Sequence, residues 1–304
     1  MPALPLVAIV VAAQQAADNM PAMKHNKPDH ICLSVSIVLH HSSLSMLDRV
    51  LQSLARSARE AHAAGCVDGV LVEVLDNSSD LLFRLKAEEA IAAWPQDDFF
   101  QLVYRGLSEN RGFGAGHNKA IEKLTSDFHL VLNPDAELAP DALRVGLGCL
   151  QEDPSIVLLS PRVEGEDGDQ EFLCKRYPSL FVLLLRPFAP RIIRRLFHRR
   201  LGRYEMRDQC NGDKEVEVLL ASGCFMLART ASLKLINGFS ERYFMYFEDF
   251  DLSIRLGSQG RLVFNPAIQI VHHGGYAARK GGQHVKYFVR SGITFFRQHG
   301  WRWI

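Results

Sequence analysis

Acidic side chains that follow an apolar stretch form the first candidate site in this 304-residue sequence. In "LNPDAEL" (132–138), Asp135 and Glu137 come directly after a run of strand-forming residues, where a carboxylate has little structural purpose. Carboxylate oxygens are hard ligands that suit Mg²⁺ or Mn²⁺. The alternative is structural, because Asn-Pro-Asp is also a common turn that caps a helix.

A second acidic cluster lies in "FMYFEDFDLSIRL" (244–256). Glu248 and Asp249 follow bulky aromatic residues, and burial beside such residues can raise the pKa of a carboxyl group and make it a general base. The structural alternative is that both acids stabilise the start of a helix through its dipole. Asp251 and Arg255 are four residues apart, which is the spacing of an ion pair within one helix.

A pair of histidines ends the apolar stretch "IVHHGG" (270–275). As a neutral imidazole, His272 can complete a metal site together with carboxylates from elsewhere in the chain. A single histidine in such a position is more often structural, so the motif predicts a metal site only in combination with the acids.

The glycine-rich stretch "NRGFGAGHNKAI" (110–121) resembles a phosphate-binding loop at first sight. The dinucleotide fingerprint needs glycines at other spacings after the first strand, and the P-loop needs Gly-Lys-Ser/Thr, whereas Lys119 follows Asn118 here. Both fingerprints therefore fail. The glycines still let the backbone bend around a ligand, with Asn110, Arg111 and Asn118 offering polar contacts. A tight strand-to-helix turn without a ligand is the alternative.

Alternating strands and helices must position these residues. The strand patterns are "CLSVSIVLH", "GVLVEVLDNSSD", "FFQLVYRG" and "FHLVLNPDAEL", with a helical pattern after each of the first three. This alternation predicts an α/β fold with a mainly parallel central sheet and helices on both faces. Ligands bind at the carboxyl ends of such strands, where Asp76, residues 110–118 and Asp135 lie. Further along, residues 236–260 predict one helix that ends at a glycine.

Composition and charge restrict the function classes. The chain is 47% hydrophobic and 23% charged with a net charge of +1, so it is globular and has no overall attraction for nucleic acid. Its six cysteines lack zinc-ligand spacing, which favours reduced thiols in a cytosolic protein. Residues 1–30 are a predicted N-terminal extension, because their apolar run follows no basic residues and is too short to span a bilayer.

One segment is strongly basic. Residues 177–204 carry seven arginines and no acid between Arg186 and Arg203. Their apolar residues cluster on one side of a helical wheel, namely Ile192, Ile193, Leu196 and Phe197. The pattern favours an amphipathic helix on an anionic membrane surface, with a solvated linker helix packed on the body as the alternative. Residues 277–304 predict a C-terminal helical tail.

Taken in order, six motifs resemble the inverting glycosyltransferases of family 2, especially the rhamnosyltransferase-like branch that builds O-antigen and cell-wall glycans. The motifs are "LDNSSD", "ENRGFGAGHNKA", "LVLNPDAEL", "ASGCFMLAR", "GFSERYFMYFEDFDLSIRL" and "VHHGG", and they span about residues 32–276. The resemblance implies a GT-A nucleotide-diphospho-sugar transferase fold over residues 31–276, with 177–204 as an insertion. It also implies a nucleotide-diphosphate sugar donor and a divalent metal, Mg²⁺ or Mn²⁺.

The resemblance also implies roles for single residues. Asp76 would contact the base, and the remaining donor-binding residues would be Asn110, Arg111, Gly114, Asn118 and Asn133. The first strand ends in Leu39-His40-His41-Ser42, where the family often has Thr-Tyr-Asn, so no role in base recognition is assigned there.

For the metal and the chemistry, the resemblance implies a second set of roles. Asp135 would bind the metal, and because Asn133 replaces the first acid of the family's D-x-D motif, His272 or Glu137 would compensate. Asp249 corresponds to the catalytic base, with supporting or acceptor-side positions at Glu248, Asp251 and Arg255.

The resulting expectation is an inverting, metal-dependent glycosyltransferase. It would move L-rhamnose from dTDP-L-rhamnose to a hydroxyl of a lipid-linked glycan in O-antigen or cell-surface polysaccharide synthesis, at the inner face of the plasma membrane. The alternatives are a UDP-sugar donor on the same fold and a non-catalytic protein that binds nucleotide sugars. No nucleic-acid partner is expected.

Overall fold

The computed structural model describes residues 30–274 and 282–304. The predicted N-terminal extension lies outside the described residues, apart from its last position. Within the described ranges, no helix is both long enough and apolar enough to cross a membrane.

Ten strands and ten helices make up these residues. The strands are β1 Cys32–Leu39, β2 Gly69–Asp76, β3 Phe100–Gly106, β4 Phe128–Leu132, β5 Ala136–Leu138, β6 Ile156–Gly165, β7 Gln170–Glu171, β8 Val216–Glu217, β9 Phe225–Arg229 and β10 Arg261–His272. The helices are α1 Leu44–Ala63, α2 Leu81–Ala92, α3 Phe113–Ile121, α4 Ala142–Glu152, α5 Leu180–Phe188, α6 Arg191–Leu196, α7 His198–Tyr204, α8 Thr230–Leu235, α9 Glu248–Gly257 and α10 Gly282–His299.

All ten strands join one sheet, whose main path runs β3-β2-β1-β4-β9-β6-β10-β5. The β3-β2-β1-β4 half is parallel throughout, and β6 also pairs parallel with β10. Strand β9 runs antiparallel between β4 and β6. The predicted α/β fold with a mainly parallel sheet is confirmed, and β9 and the short strands β5, β7 and β8 are the antiparallel exceptions.

Each face of the sheet is covered by its own hydrophobic core, because neighbouring residues of a strand point to opposite faces. In β4, Leu130 and Leu132 join the core beneath α1 and α4, whereas Val131 joins the core beneath α3, α8 and α9. The continuous apolar runs seen in the sequence follow from this two-sided burial.

The predicted helix over residues 236–260 is wrong in its first half. Helix α8 ends at Leu235 and α9 begins only at Glu248. The backbone between them takes positive φ angles at Asn237, Gly238, Tyr246 and Phe247, which a right-handed helix cannot contain. A long loop rich in aromatic residues, 236–247, therefore precedes the acidic cluster and is called the aromatic loop below.

The basic segment 177–204 forms three short helices, α5 to α7, instead of one amphipathic helix. Pro190 separates α5 from α6, since proline lacks the N–H that a continuous helix would use. Ile192 and Leu196 are exposed, as the predicted apolar stripe requires, while the ring of Phe197 packs against Phe181 at 5.1 Å between centroids.

Candidate active site

Asp249 lies at the start of α9, at the end of the aromatic loop. Its two carboxylate oxygens accept hydrogen bonds from the backbone N–H groups of Gly223 (3.1 Å) and Phe250 (2.9 Å). The two residues before the helix, Tyr246 and Phe247, have φ angles of 69° and 66°. Such strained positions for bulky residues concentrate at functional sites, and here they set the direction in which the acidic pair projects.

The acidic pair has two different pKa values. Burial raises the pKa of the Asp249 carboxyl to about 6. Burial and the neighbouring Asp249 charge raise the pKa of Glu248 to about 8. Glu248 is 6% exposed, and its Oε2 atom has no hydrogen-bond partner among the described residues. The pair therefore favours a single negative charge, and the two backbone N–H donors favour placing it on Asp249.

Asp251 and Arg255, which follow the acidic pair on α9, form a cluster of hydrogen bonds. Asp251 is fully buried and accepts hydrogen bonds from Arg255 Nε (2.8 Å), His299 Nε2 (2.8 Å) and Gln298 Nε2 (2.9 Å). Arg255 also donates to the carbonyl oxygen of Ile236 at 2.8 Å. These contacts fasten α9 to the end of α10, so this pair serves the structure of the site.

Asp135 and His272 come together, as the resemblance implies. Asp135 follows β4, His272 ends β10, and their Oδ1 and Nε2 atoms are 3.5 Å apart. The other ring nitrogen of His272 is 3.1 Å from Glu171 Oε2. Burial alone would lower the pKa of His272, but the two carboxylates outweigh it and raise the pKa to about 9.

These residues fit a divalent cation. Asp135 offers a partly exposed carboxylate and His272 an imidazole nitrogen, while Glu171 holds the second ring nitrogen, an arrangement common around metal-bound histidines. A side chain at Gly274 would put its Cβ atom 2.0 Å from Asp135 Oδ2, so the Asp135 carboxylate would have to move to admit it. Within residues 30–274 and 282–304, no cluster of three or more ligating side chains occurs.

Glu137, the other predicted metal ligand, has different partners. Its Oε1 atom is 2.6 Å from Arg49 Nη2 and 2.8 Å from His273 Nε2. The Glu137 carboxylate is therefore engaged by protein side chains from α1 and from the residue after β10. The structure places Glu137 in this ion-pair network, and its role as a metal ligand stays a prediction.

The glycine-rich stretch forms the turn from β3 into α3. Gly112 has a φ of 101°, and a Cβ atom there would lie 2.0 Å from the carbonyl oxygen of Phe244. Asn110 Oδ1 accepts the N–H of Gly112 at 2.9 Å, which closes the turn locally. At Gly114, an added Cβ would lie 2.8 Å from Phe239. The stretch thus packs directly against the aromatic loop.

Asn118 and Arg111, two further side chains that were predicted to bind the donor, also have protein partners. The Asn118 amide accepts the N–H of Phe239 (2.8 Å) and donates to the same residue's carbonyl (2.9 Å), so it joins α3 to the loop before α9. Arg111 is half-exposed and pairs with Glu241 at 2.7 Å. Asn118 therefore shapes the site from behind, and Arg111 lies at its surface.

Asp76 ends β2 at the carboxyl edge of the sheet, as predicted. It is fully buried, with Oδ1 accepting the N–H of Ser78 and Oδ2 accepting the hydroxyl of Tyr104, both at 2.8 Å. Next to it, Asn77 donates to the carbonyl oxygen of Gly112 at 3.1 Å. This bond ties the end of β2 to the glycine-rich turn.

Gly223 is where these parts meet. Its N–H binds Asp249, and a Cβ atom at this position would lie 2.9 Å from the ring of Phe113 in the glycine-rich stretch. The next residue, Cys224, accepts the N–H of Asn133 at 3.0 Å, two residues before Asp135. One turn therefore joins the glycine-rich stretch, the acidic pair and the metal-ligating motif.

Sequence reasoning assigned no role to Gly223 or Glu171. The motif "ASGCFMLAR" carried the available signal for Gly223, since a glycine before a buried strand indicates close backbone approach. No local pattern marks Glu171, because it reaches His272 only through the pairing of β7 and β10 with β6.

Comparison with protein families supports these features. The family model described as Glycosyl transferase family 2 matches residues 34–232. The N-acetylglucosaminyl-diphospho-decaprenol L-rhamnosyltransferase of Mycobacterium tuberculosis is 29% identical over 211 residues, which cover 63% of this chain and 66% of that protein. Rhamnosyltransferase WbbL of Escherichia coli K12 is 45% identical over 53 residues, covering 17% of this chain and 20% of WbbL.

Solved structures show the same fold at low sequence identity. GalNAc-T7 with UDP, GalNAc and Mn²⁺ aligns with a TM-score of 0.59 and 15% identity, covering 96% of this chain and 57% of that one. The mannosyltransferase PcManGT of Pyrobaculum calidifontis, in complex with GDP-Man and Mn²⁺, aligns with a TM-score of 0.56 and 16% identity, covering 96% and 72%. The predicted GT-A fold is confirmed.

Proposed function

The chain belongs to glycosyltransferase family 2, and we propose that it transfers a sugar from a nucleoside-diphosphate donor to a hydroxyl of a glycan acceptor, with inversion. The observation that supports this most strongly is the Gly223 turn. It brings a carboxylate with a raised pKa, a candidate metal pair and a close-packed glycine-rich turn to one edge of the sheet. In open α/β sheets, this edge is where ligands bind.

Asp249 is the general base of the proposed reaction. It takes the proton from the acceptor hydroxyl while that oxygen bonds to the anomeric carbon and the bond from this carbon to the diphosphate breaks. Attack from the face opposite the diphosphate inverts the anomeric configuration in one displacement, so no side-chain nucleophile is needed. The two backbone hydrogen bonds hold the carboxylate in one orientation.

Glu248 supports this role through its protonation state. Because burial and the Asp249 charge keep its pKa near 8, Glu248 stays neutral at pH 7 and leaves the negative charge on its neighbour. A second charge at this position would repel Asp249 and raise its pKa further.

Asp135 and His272 would hold the divalent cation, Mg²⁺ or Mn²⁺, with Glu171 orienting the imidazole. When bound, such a cation neutralises negative charge on the diphosphate as it leaves. The Mn²⁺ in the two structural neighbours belongs to those proteins and supports a metal here only through the shared fold.

The proposed donor is dTDP-L-rhamnose, and the proposed acceptor is a lipid-linked glycan of O-antigen or cell-surface polysaccharide synthesis. The names of the mycobacterial and Escherichia coli relatives support the sugar, and the word decaprenol in the first supports the lipid. The chain spans about two thirds of the mycobacterial relative. A UDP-sugar donor on the same fold is the second candidate, and a non-catalytic nucleotide-sugar-binding protein is the third.

A thermal-shift panel of dTDP, UDP and GDP with Mn²⁺ separates the donors. A ligand that binds the native state at 100 times its Kd stabilises it by about 2.7 kcal/mol. The proposal expects the largest shift with dTDP. A larger shift with UDP would move the proposal to the UDP-sugar donor, and binding without transfer to any acceptor would favour the non-catalytic protein.

We propose that the protein acts at the inner face of the plasma membrane. The exposed Ile192 and Leu196 of the basic segment 177–204 support contact with anionic lipid. Replacing Arg194, Arg195, Arg199 and Arg200 by serine is expected to weaken sedimentation with anionic liposomes. Unchanged sedimentation would favour a linker or an oligomer contact.

A further inference from the structure

Helix α10 presents an apolar stripe that no described part of the chain covers. Val285, Val289 and Ile293 are spaced four residues apart and are 45%, 49% and 39% exposed. The other side of the helix is buried, because Phe295 and Phe296 pack with α9 and the aromatic loop. A helix that is apolar on two sides has a second surface to bury.

Basic residues flank this stripe. Lys286, Arg290 and Arg297 line the same shallow surface groove as Val285, Val289 and Ile293. Residues 282–304 contain no Asp or Glu. The exposed side of α10 is therefore both apolar and positively charged, which complements an anionic surface with an apolar interior.

Two tryptophans extend the surface beyond the helix. Trp301 and Trp303 are 47% and 68% exposed, and their rings stack with centroids 6.0 Å apart. Exposed tryptophan is costly in water and is enriched where proteins meet the headgroup region of a bilayer. Ile304 is 75% exposed as well.

The tail lies against the basic segment 177–204. The N–H groups of Leu180 and Phe181 donate to the carbonyl oxygens of Arg302 (2.9 Å) and Trp303 (3.2 Å). The Phe181 ring contacts Phe197, and the Arg200 guanidinium lies 5.2 Å from its centroid. Among the residues whose exposure the structure describes, ten of the fifteen exposed large hydrophobic residues belong to 180–204 or 282–304. The exposed apolar residues of this part of the chain therefore concentrate in these two connected segments.

We propose that the exposed stripe of α10 and the Trp301–Trp303 tail, continuous with segment 180–204, form a face that binds the surface of an anionic lipid bilayer. The aliphatic and indole side chains enter the interfacial region, and the arginines and lysines contact the lipid headgroups. The purpose of this face rests on the proposed function, whose acceptor is lipid-linked.

Helix α10 also contacts the loop that leads into the candidate active site. At its start, His284 Nδ1 is 2.9 Å from the hydroxyl of Tyr246, and the rings of Tyr287 and Phe244 are in contact, with centroids 4.7 Å apart. Both partners belong to the aromatic loop that leads into Asp249. A bilayer bound along α10 therefore lies next to the loop that positions the base.

Vesicle sedimentation of the full chain tests the proposal, with vesicles of phosphatidylcholine containing phosphatidylglycerol. Replacing Val285, Val289 and Ile293 together by serine is expected to lower the partition coefficient at least tenfold. The matched control replaces Leu81, Leu82 and Leu85 of α2, which are 52–62% exposed, and is expected to bind like the unmodified chain. Circular dichroism verifies that both variants are folded.

A separate variant tests the tail. Replacing Trp301 and Trp303 by serine is expected to weaken vesicle binding several-fold, and pure phosphatidylcholine is expected to bind the unmodified chain far less than the anionic mixture. Equal binding by the α10 variant and the α2 control would overturn the proposal. A second pair of results would also overturn it: the unmodified chain does not bind vesicles but forms a dimer, and the α10 variant is monomeric. The face would then contact a second copy of the chain. Vesicle binding is measured without turnover, so it stands or falls independently of sugar transfer.

Discussion

The hydrogen-bonded cluster around Asp251 allows a quantitative prediction of the stability lost when its carboxylate is removed. Replacing Asp251 by alanine removes the carboxylate that accepts from Arg255, His299 and Gln298. Breaking a buried ion pair from one side costs about 3–5 kcal/mol. Arg255 keeps its bond to the Ile236 carbonyl and is 23% exposed, so the lower end, about 3 kcal/mol, is expected.

Thermal and urea unfolding measure this loss. Because unfolding entropy scales with chain length, 1 kcal/mol lowers the Tm of a chain of about 300 residues by about 1.5 °C. Asp251→Ala is therefore expected to lower Tm by roughly 5 °C. The control is Glu122→Ala, which breaks an exposed ion pair with Lys119 and is expected to cost less than about 1 kcal/mol. A change of less than about 2 °C for Asp251→Ala would refute the anchoring role. If KM for the acceptor rose instead, Asp251 would be an acceptor-binding residue.

Three further predictions concern the site. Transfer should decline as pH falls through about 6, because burial raises the pKa of Asp249 to that value and the protonated acid cannot accept a proton; a flat rate profile between pH 5 and 8 would contradict this. Gly112→Ala should lower the free energy of unfolding by about 1–3 kcal/mol in thermal melts. It should also displace Phe244, whose carbonyl oxygen would lie 2.0 Å from the new Cβ atom. An unchanged melting temperature would contradict this prediction. His272→Ala should weaken Mn²⁺ binding about 10-fold or more, as measured by electron paramagnetic resonance titration in the presence of a nucleoside diphosphate. Glu137→Gln should leave Mn²⁺ binding unchanged. Equal effects of the two variants would argue against His272 as a ligand.

Much of the architecture follows from local patterns. Strands β1 to β4 are apolar runs bounded by turn residues, so their existence and parallel order could be inferred from the sequence alone. The positions of Asp76 and Asp135 at strand ends followed directly, because a strand's last residue is visible in the pattern. The proximity of Asp135 and His272 could be expected only from the family resemblance, since they are 137 positions apart.

Other features depend on tertiary contacts that no local pattern records. The helix predicted over 236–260 fails at Tyr246 and Phe247, whose positive φ angles are imposed by packing of the aromatic loop. Glu137 was a reasonable metal ligand by type, but in the structure its carboxylate pairs with Arg49 and His273. The exposed stripe of α10 could not be recognised from the sequence, because hydrophobic residues occur on both sides of that helix.

The most direct test of the proposed function is the rate of sugar transfer by Asp249→Asn at saturating donor, acceptor and Mn²⁺. Asparagine preserves the size of the side chain but cannot accept the proton, so the rate should fall by about 10²–10⁴, while nucleotide binding and melting temperature stay close to those of the unmodified chain. Full transfer activity in Asp249→Asn would show that Asp249 is not the base and would contradict the proposed mechanism.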